Sequence, residues 1–216
     1  MKRITFITGF FGSGKTEIAL NLAIQKQVDV LIDLDIVNPY FRSREQEDVL
    51  NRAGIRVVSS GVANGRFVDL PYVAKEAFIP FWDRTLRAVY DLGGSGSGAR
   101  LLRQFSPYFP DSDVDLLFCV NIHREETDSP AKIIQEIGRI EESGGMRPTG
   151  LINNTNLLTE STYEDLLEGE GLLRPVADAT GIPLIYTGIV SSLDRDDRPV
   201  AGEKIPLRLY FKNTWL

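Results

Sequence analysis

Short apolar runs alternate with stretches of helical period along this chain. The runs Lys2 to Thr8, Val28 to Asp33, Ile55 to Ser59, Thr85 to Asp91, Val114 to Asn121, Thr149 to Asn153 and Pro183 to Thr187 predict strands. Val28 to Asp33 and Val114 to Asn121 are almost unbroken in their apolarity, as in strands covered on both faces. Between them the pattern predicts a helix over 15–26, and a second opened by the capping box Ser43-Arg44-Glu45-Gln46, running to Ala53 and stopped by Gly54. Further helices are expected near Val73 to Phe78, from Ala99 to Gln104, after Ser129-Pro130, and from Ser161-Thr162-Tyr163-Glu164 to Gly181. Ile133, Ile134, Ile137 and Ile140 give the helix after Pro130 one apolar face. Residues 60–83 are less regular, and Gly93 to Gly98 reads as a flexible loop. Strands alternating with helices predict an α/β protein: one domain over 1–216, a doubly wound, mostly parallel sheet with helices on both faces.

Composition narrows the partners. With 24 Lys+Arg against 30 Asp+Glu, the net charge of −6 argues against nucleic acid, which needs a basic face. One cysteine, Cys119, and one histidine, His123, exclude a disulfide framework and a self-contained transition-metal site; both are expected to be structural. No segment approaches the roughly 18 apolar residues of a membrane span, and no export signal is recognisable, so we expect a cytoplasmic protein. Near the C-terminus Leu207, Leu209 and Phe211 alternate with Arg208, Tyr210 and Lys212, a period of two that predicts an edge strand or a hairpin with nearby chain rather than a membrane helix.

The most specific signal is Gly9-Phe10-Phe11-Gly12-Ser13-Gly14-Lys15-Thr16, a complete GxxxxGK[ST] between a predicted strand and a predicted helix. Such a loop turns successive backbone N–H groups onto phosphate oxygens at a helix N-terminus. Gly9, Gly12, Ser13, Gly14, Lys15 and Thr16 are therefore expected to hold a triphosphate, Lys15 reaching its outer phosphates and the Thr16 hydroxyl ligating Mg²⁺. Carboxylates at neighbouring strand ends complete the pattern: Asp33 and Asp35 in Asp33-Leu34-Asp35, and Asp91 in the DxxG segment Asp91-Leu92-Gly93-Gly94. Asp33 and Asp91 are candidate Mg²⁺ acids, and Gly94 can offer its N–H to the terminal phosphate. A strand-terminal Asp also serves simply to cap a loop.

This ordered series, with a late Asn motif, resembles the MinD/ParA/CobQ-type P-loop NTPases and the related CobW/HypB/UreG type. The resemblance implies the P-loop NTPase fold. It also implies Asp35 as the residue that orients the attacking water, with Asp33 supporting Mg²⁺ or the loop. Two features depart from it. Phe10 stands where MinD/ParA proteins carry a signature lysine, and the Cys-rich motif of CobW proteins is missing. Leu151-Ile152-Asn153-Asn154-Thr155-Asn156 lies where the class reads the base. GTPases of the class place N-K-x-D there, the Asp accepting from guanine; amides at Asn153, Asn154 and Asn156 suit adenine better. The same residues also fit a plain Asx-rich turn.

The expected function is that of an Mg²⁺-dependent ATP-binding protein, a slow ATPase switching a partner protein, with a homodimer expected and no nucleic-acid or membrane partner. Asn38 to Arg44, with Arg42 and Arg44, is the expected first switch and Gly93 to Gly98 the second; surface charge and a plain loop are the alternatives. Arg124 is a weaker candidate for the same cleft. Three other functions stay open: an ATP-dependent small-molecule kinase or ligase of the dethiobiotin-synthetase-like type using Arg42, Arg44 and Arg66, a nucleotide-gated binding module without hydrolysis, and a CobW-like GTPase.

Overall fold

Parallel pairing throughout follows from the alternation of strand and helix, because each strand must return to the same end of the sheet before the next begins. The structure, a computed structural model, describes residues 1–35, 47–59, 73–94, 96–109, 113–195 and 198–210. The strands are β1 (Ile4–Thr8), β2 (Val30–Leu34), β3 (Arg56–Ser59), β4 (Ala88–Leu92), β5 (Val114–Val120), β6 (Gly150–Asn153), β7 (Leu184–Val190) and β8 (Glu203–Leu207). They form one sheet in the order β3-β2-β4-β1-β5-β6-β7-β8, every neighbouring pair parallel. The helices are α1 (Lys15–Gln25), α2 (Glu47–Arg52), α3 (Ile79–Trp82), α4 (Gly96–Phe105), α5 (Pro130–Gly144) and α6 (Tyr163–Thr180).

The apolar runs explain the layers. Successive residues of a strand point to opposite faces. Ile4 and Phe6 of β1 therefore enter one core with Phe105, Ile133, Ile137 and Leu173, under α3 to α6. Ile7 enters the other with Ile18, Leu22 and Leu50, under α1 and α2. On β5, Leu116 and Phe118 face the first core and Leu117 and Cys119 the second. Phe6 stacks on Tyr90 at 4.4 Å, and the Tyr90 hydroxyl donates to the Ala77 carbonyl at 2.7 Å, pinning the chain ahead of α3 to the sheet.

The expected boundaries hold in most places. Gly54 and Gly181 both adopt left-handed φ, at 77° and 72°, where the chain leaves α2 and α6. The cap of α6 is Thr162 paired with Asp165, within the stretch where the helix is expected to begin. Two expectations need correction. Gly93 to Gly98 is not wholly loop: α4 starts at Gly96, since the apolar residues Ala99, Leu101, Leu102 and Phe105 all bury against β4 and α5 and draw the helix back toward the glycines. The edge strand is Glu203–Leu207 and does not run on through Leu209. Beyond it, Asn21 of α1 takes both backbone polar groups of Arg208, and the Tyr210 N–H goes to Glu17, so a helix side chain replaces strand pairing. The expected capping box Ser43 to Gln46, Asn38 to Arg44 and Arg66 lie outside the described residues.

Candidate functional site

The chain runs from β1 to β2 and β3 on one side, returns to β4 beside β1, then continues to β5 on the other side. The carboxyl end of β1 is thus the point where strand order reverses, the position where open parallel sheets bind ligands. The GxxxxGKT segment sits there, between Thr8 at the end of β1 and Lys15 at the start of α1.

Ser13 N–H closes a turn onto the Phe10 carbonyl, and Ile18 N–H begins the α1 ladder on Gly14. The N–H groups of Gly12, Gly14, Lys15 and Thr16 have no protein acceptor among the described residues. Gly14 precedes the helix with φ 83°, and a Cβ there would lie 2.3 Å from the Asn154 amide nitrogen, so both backbone conformation and space demand glycine. Lys15 is only 6% exposed, and its ammonium donates to the Phe10 carbonyl at 3.3 Å across the loop. A Cβ on Gly94 would lie 2.8 Å from that ammonium and 2.5 Å from the Gly9 carbonyl. The turn after β4 therefore closes on the loop.

The acids converge from the same side. Asp33 and Asp91 occupy paired positions on β2 and β4. The Thr16 hydroxyl donates to Asp91 Oδ2 at 2.6 Å, and Asp91 Oδ1 is buried without a partner among the described residues. Burial first and the neighbouring Asp33 second push the Asp91 carboxyl up to about 8, against the pull of Lys15 and Thr16. Asp35 stands at the end of β2, its N–H donating to Asp33 Oδ1 at 3.1 Å; a Cβ on Gly93 would lie 3.1 Å from Asp35 Oδ1. Lys15, Thr16, Asp33, Asp35, Asp91 and Gly94 thus share one cleft.

No three His, Cys, Asp or Glu side chains among the described residues converge tightly enough to hold a metal ion by themselves. Mg²⁺ does not require this: it keeps waters and takes phosphate oxygens beside one or two protein ligands. The orphaned Asp91 Oδ1 and the Thr16 hydroxyl fit that use, and the buried Ser13 Oγ is likewise unpartnered.

The asparagines engage the backbone around them. The Asn153 amide donates to Leu166 O of α6 at 2.9 Å while its Oδ1 accepts from Thr155 N–H. Asn154 is buried beneath the phosphate loop, donating to Ser13 O at 2.7 Å. Asn156 donates to Asn154 O and accepts from Leu158 N–H. Asn153 and Asn154 thus brace α6 and the phosphate loop, as a polar residue at a buried strand end spends its amide on nearby backbone, while the buried Asn154 Oδ1 has no partner among the described residues. Asn156, partly exposed, remains at the surface of this turn.

Other residues carry more than the sequence suggested. Cys119 is buried as expected, with its thiol pushed up to about 12 by burial, yet it also donates to Ser13 O at 3.3 Å. Asn121 has a role that the sequence pattern does not assign. It ties the turn after β5 to Asn156 O at 3.1 Å, and accepts on its own carbonyl from Thr127 Oγ1 and Arg124 N–H. Its one local signal is a polar residue directly at the end of an otherwise apolar strand. Arg124 reaches the loop, its Nε donating to Gly12 O at 2.9 Å. His123 pairs with Asp165 at 3.2 Å, joining this turn to the α6 cap. A separate cavity of about 460 Å³ opens between the ends of β7 and β8, lined by Val190, Ser191, Ser192, Leu207, Arg208 and Leu209, and includes no phosphate-loop residue. Among the described residues no helix is long and apolar enough to cross a membrane.

No family profile matches the chain, and no curated protein matches it. Solved structures do. The cell division protein FtsY of Thermotoga maritima is 20% identical with a TM-score of 0.57, over 86% of this chain and 61% of its own. The signal recognition particle receptor FtsY of Elizabethkingia anophelis is 18% identical with a TM-score of 0.54, over 86% and 58%. The same receptor solved in complex with GDP is 15% identical with a TM-score of 0.51, over 88% and 58%. This chain therefore spans about three fifths of the length of the proteins it resembles. The likeness establishes the P-loop NTPase fold. These structures are not of the MinD/ParA/CobQ type that the sequence motifs resemble.

Proposed function

We propose that this chain binds a nucleoside triphosphate with Mg²⁺ and acts as a nucleotide switch, a slow ATPase that signals to a partner protein. One observation carries the reading. The N–H groups of Gly12, Gly14, Lys15 and Thr16, unpaired among the described residues, and the buried Lys15 ammonium meet at the strand-order reversal, with Asp91, Asp33 and Asp35 alongside. An array of donors and a cation suits a polyanion, and the acids suit its metal. Thr16 and Asp91 would hold Mg²⁺, with Asp33 behind them; the ion would neutralise charge on the outer phosphates.

Hydrolysis asks the protein to orient a water and to stabilise charge, with little covalent work. Asp35 is the proposed water-orienting group: it stands at the open end of β2 next to the Gly93-Gly94 turn that touches Lys15. Asp35→Ala is expected to leave nucleotide binding within about twofold and to slow single-turnover hydrolysis on the order of a hundredfold. A normal rate in that variant would reassign the role.

For the base we propose adenine. Where N-K-x-D carries its Asp this chain has Asn156, an amide that does not accept the paired N1 and N2 donors of guanine as a carboxylate does. The GDP held by the Elizabethkingia receptor belongs to that protein. Thermal-shift titration with ATP, GTP and Mg²⁺ is expected to give tighter binding of ATP by about tenfold, the scale of one or two lost hydrogen bonds. Equal or tighter GTP binding would make the chain a GTPase with the same switch logic. A homodimer and a partner protein belong to the same proposal, the dimer to be read from sedimentation with and without nucleotide.

A further inference from the structure

We propose that Arg124 forms one wall of the nucleoside seat, its guanidinium plane stacking on the base of the bound nucleotide. The inference rests on the nucleotide reading above and adds to it a residue that grips the end of the ligand remote from the metal.

The position of Arg124 is built, not incidental. It lies in the turn after β5, where its N–H donates to Asn121 O at 3.2 Å and its carbonyl accepts from Thr127 N–H at 2.9 Å. Asn121 is 2% exposed and fastens the same turn to Asn156 O. From this brace the exposed side chain crosses to the apex of the phosphate loop, where Nε donates to Gly12 O at 2.9 Å. A Cβ on Gly12 would lie 3.1 Å from Nε and 3.4 Å from Cζ, so the guanidinium rests directly on the loop. A bond through Nε holds the group edge-on. The side chain is exposed, and its terminal nitrogens have no acceptor or carboxylate partner among the described residues.

The sides of the cleft decide what it meets. Asp33 and Asp91 belong to β2 and β4 and Asp35 directly follows β2, all on one side of β1. Arg124, Asn121, Asn154 and Asn156 all follow β5 and β6, on the other side. A metal-bearing phosphate end drawn to the acids leaves the nucleoside pointing toward β5 and β6, where Arg124 waits at the rim. A guanidinium is planar, weakly hydrated and stacks on aromatic faces, whereas a lysine ammonium offers a point charge and no plane.

The test separates nucleoside from phosphate. Binding of Mg²⁺–ATP and of Mg²⁺–tripolyphosphate, the same tail without a nucleoside, is measured by calorimetry for the wild-type chain, Arg124→Ala and Arg124→Lys. The expected result is an ATP affinity lower by about 3- to 30-fold in both variants, with tripolyphosphate affinity unchanged. Equal losses for the two ligands would overturn the inference, showing that Arg124 acts on phosphates or by holding Gly12. Full recovery of ATP binding in Arg124→Lys, or no loss in either variant, would overturn it as well. A wild-type chain that binds neither ligand sinks the phosphate-cradle reading itself, and this inference with it.

Discussion

Lys15→Ala is expected to abolish the rise in melting temperature that Mg²⁺–ATP produces, while leaving the melting temperature of the free protein nearly unchanged. The two halves of that result have separate causes. In the free protein Lys15 donates to one carbonyl, Phe10 O, at 3.3 Å, a long bond whose loss costs little. In the complex its ammonium lies inside a buried cradle, and a charge-assisted hydrogen bond to phosphate is worth about 3 kcal/mol, on the order of a hundredfold in affinity. The burial of Lys15 sharpens the effect, since water screens a 6% exposed charge poorly. Differential scanning fluorimetry over a nucleotide titration reads both halves. Undiminished ATP binding by the alanine variant would falsify the phosphate-cradle assignment. Lys15→Arg serves as the control for charge in the wrong shape, and is expected to bind weakly.

The second large effect concerns Asp91 and pH. Its carboxyl titrates near 3.8 when unfolded and is raised to about 8 in the folded chain. Between those values the folded state holds a proton that the unfolded state has released, so the stability of the free protein falls as pH rises from about 4 to about 8. Every tenfold difference in proton affinity between the two states corresponds to about 1.4 kcal/mol, and relaxation around the ionised carboxylate trims the total, leaving an effect on the order of 3 kcal/mol. Asp91→Asn removes the ionisation. It is expected to match the wild type near pH 4, to be more stable by that amount near pH 8, and to flatten the profile between. The same variant is expected to lose the Mg²⁺ dependence of nucleotide binding, because the oxygen left unpartnered in the free protein, Oδ1, is replaced by a group without charge. Denaturant melts at several pH values, with and without Mg²⁺, check both claims. An Asp91→Asn protein less stable than wild type at pH 8 would contradict the burial argument.

The site divides by how local its determinants are. The placing of Gly9 to Thr16 was legible because the loop is one continuous segment between a strand and a helix. Asp33, Asp35, Asp91 and Gly94 were legible at one remove, since a polar residue closing an apolar strand must emerge at the sheet's carboxyl end. The backbone contacts of the asparagines were not legible, for the opposite reason. Spacing places Asn153 and Asn154 at a strand end but says nothing of which backbone groups nearby lack partners, and Leu166 O and Ser13 O took their amides. Arg124 and Asn121 stood in plain view at the end of β5. Their contacts with Gly12 and Asn156 span gaps of 112 and 35 residues that no local pattern encodes.

By itself the chain of residues determined the parallel α/β layering and the phosphate loop, because hydrophobic period and backbone conformational demand are properties of short segments. Tertiary structure alone decided that β1 lies between β4 and β5, and so that acids gather on one side of the loop and Arg124 on the other. It alone decided that Asp91 is buried beside Asp33 and holds its proton to about pH 8. Both outcomes depend on which strands become neighbours, and the free energy that settles strand order comes from packing two cores at once, a sum over the whole sheet that no single segment contains.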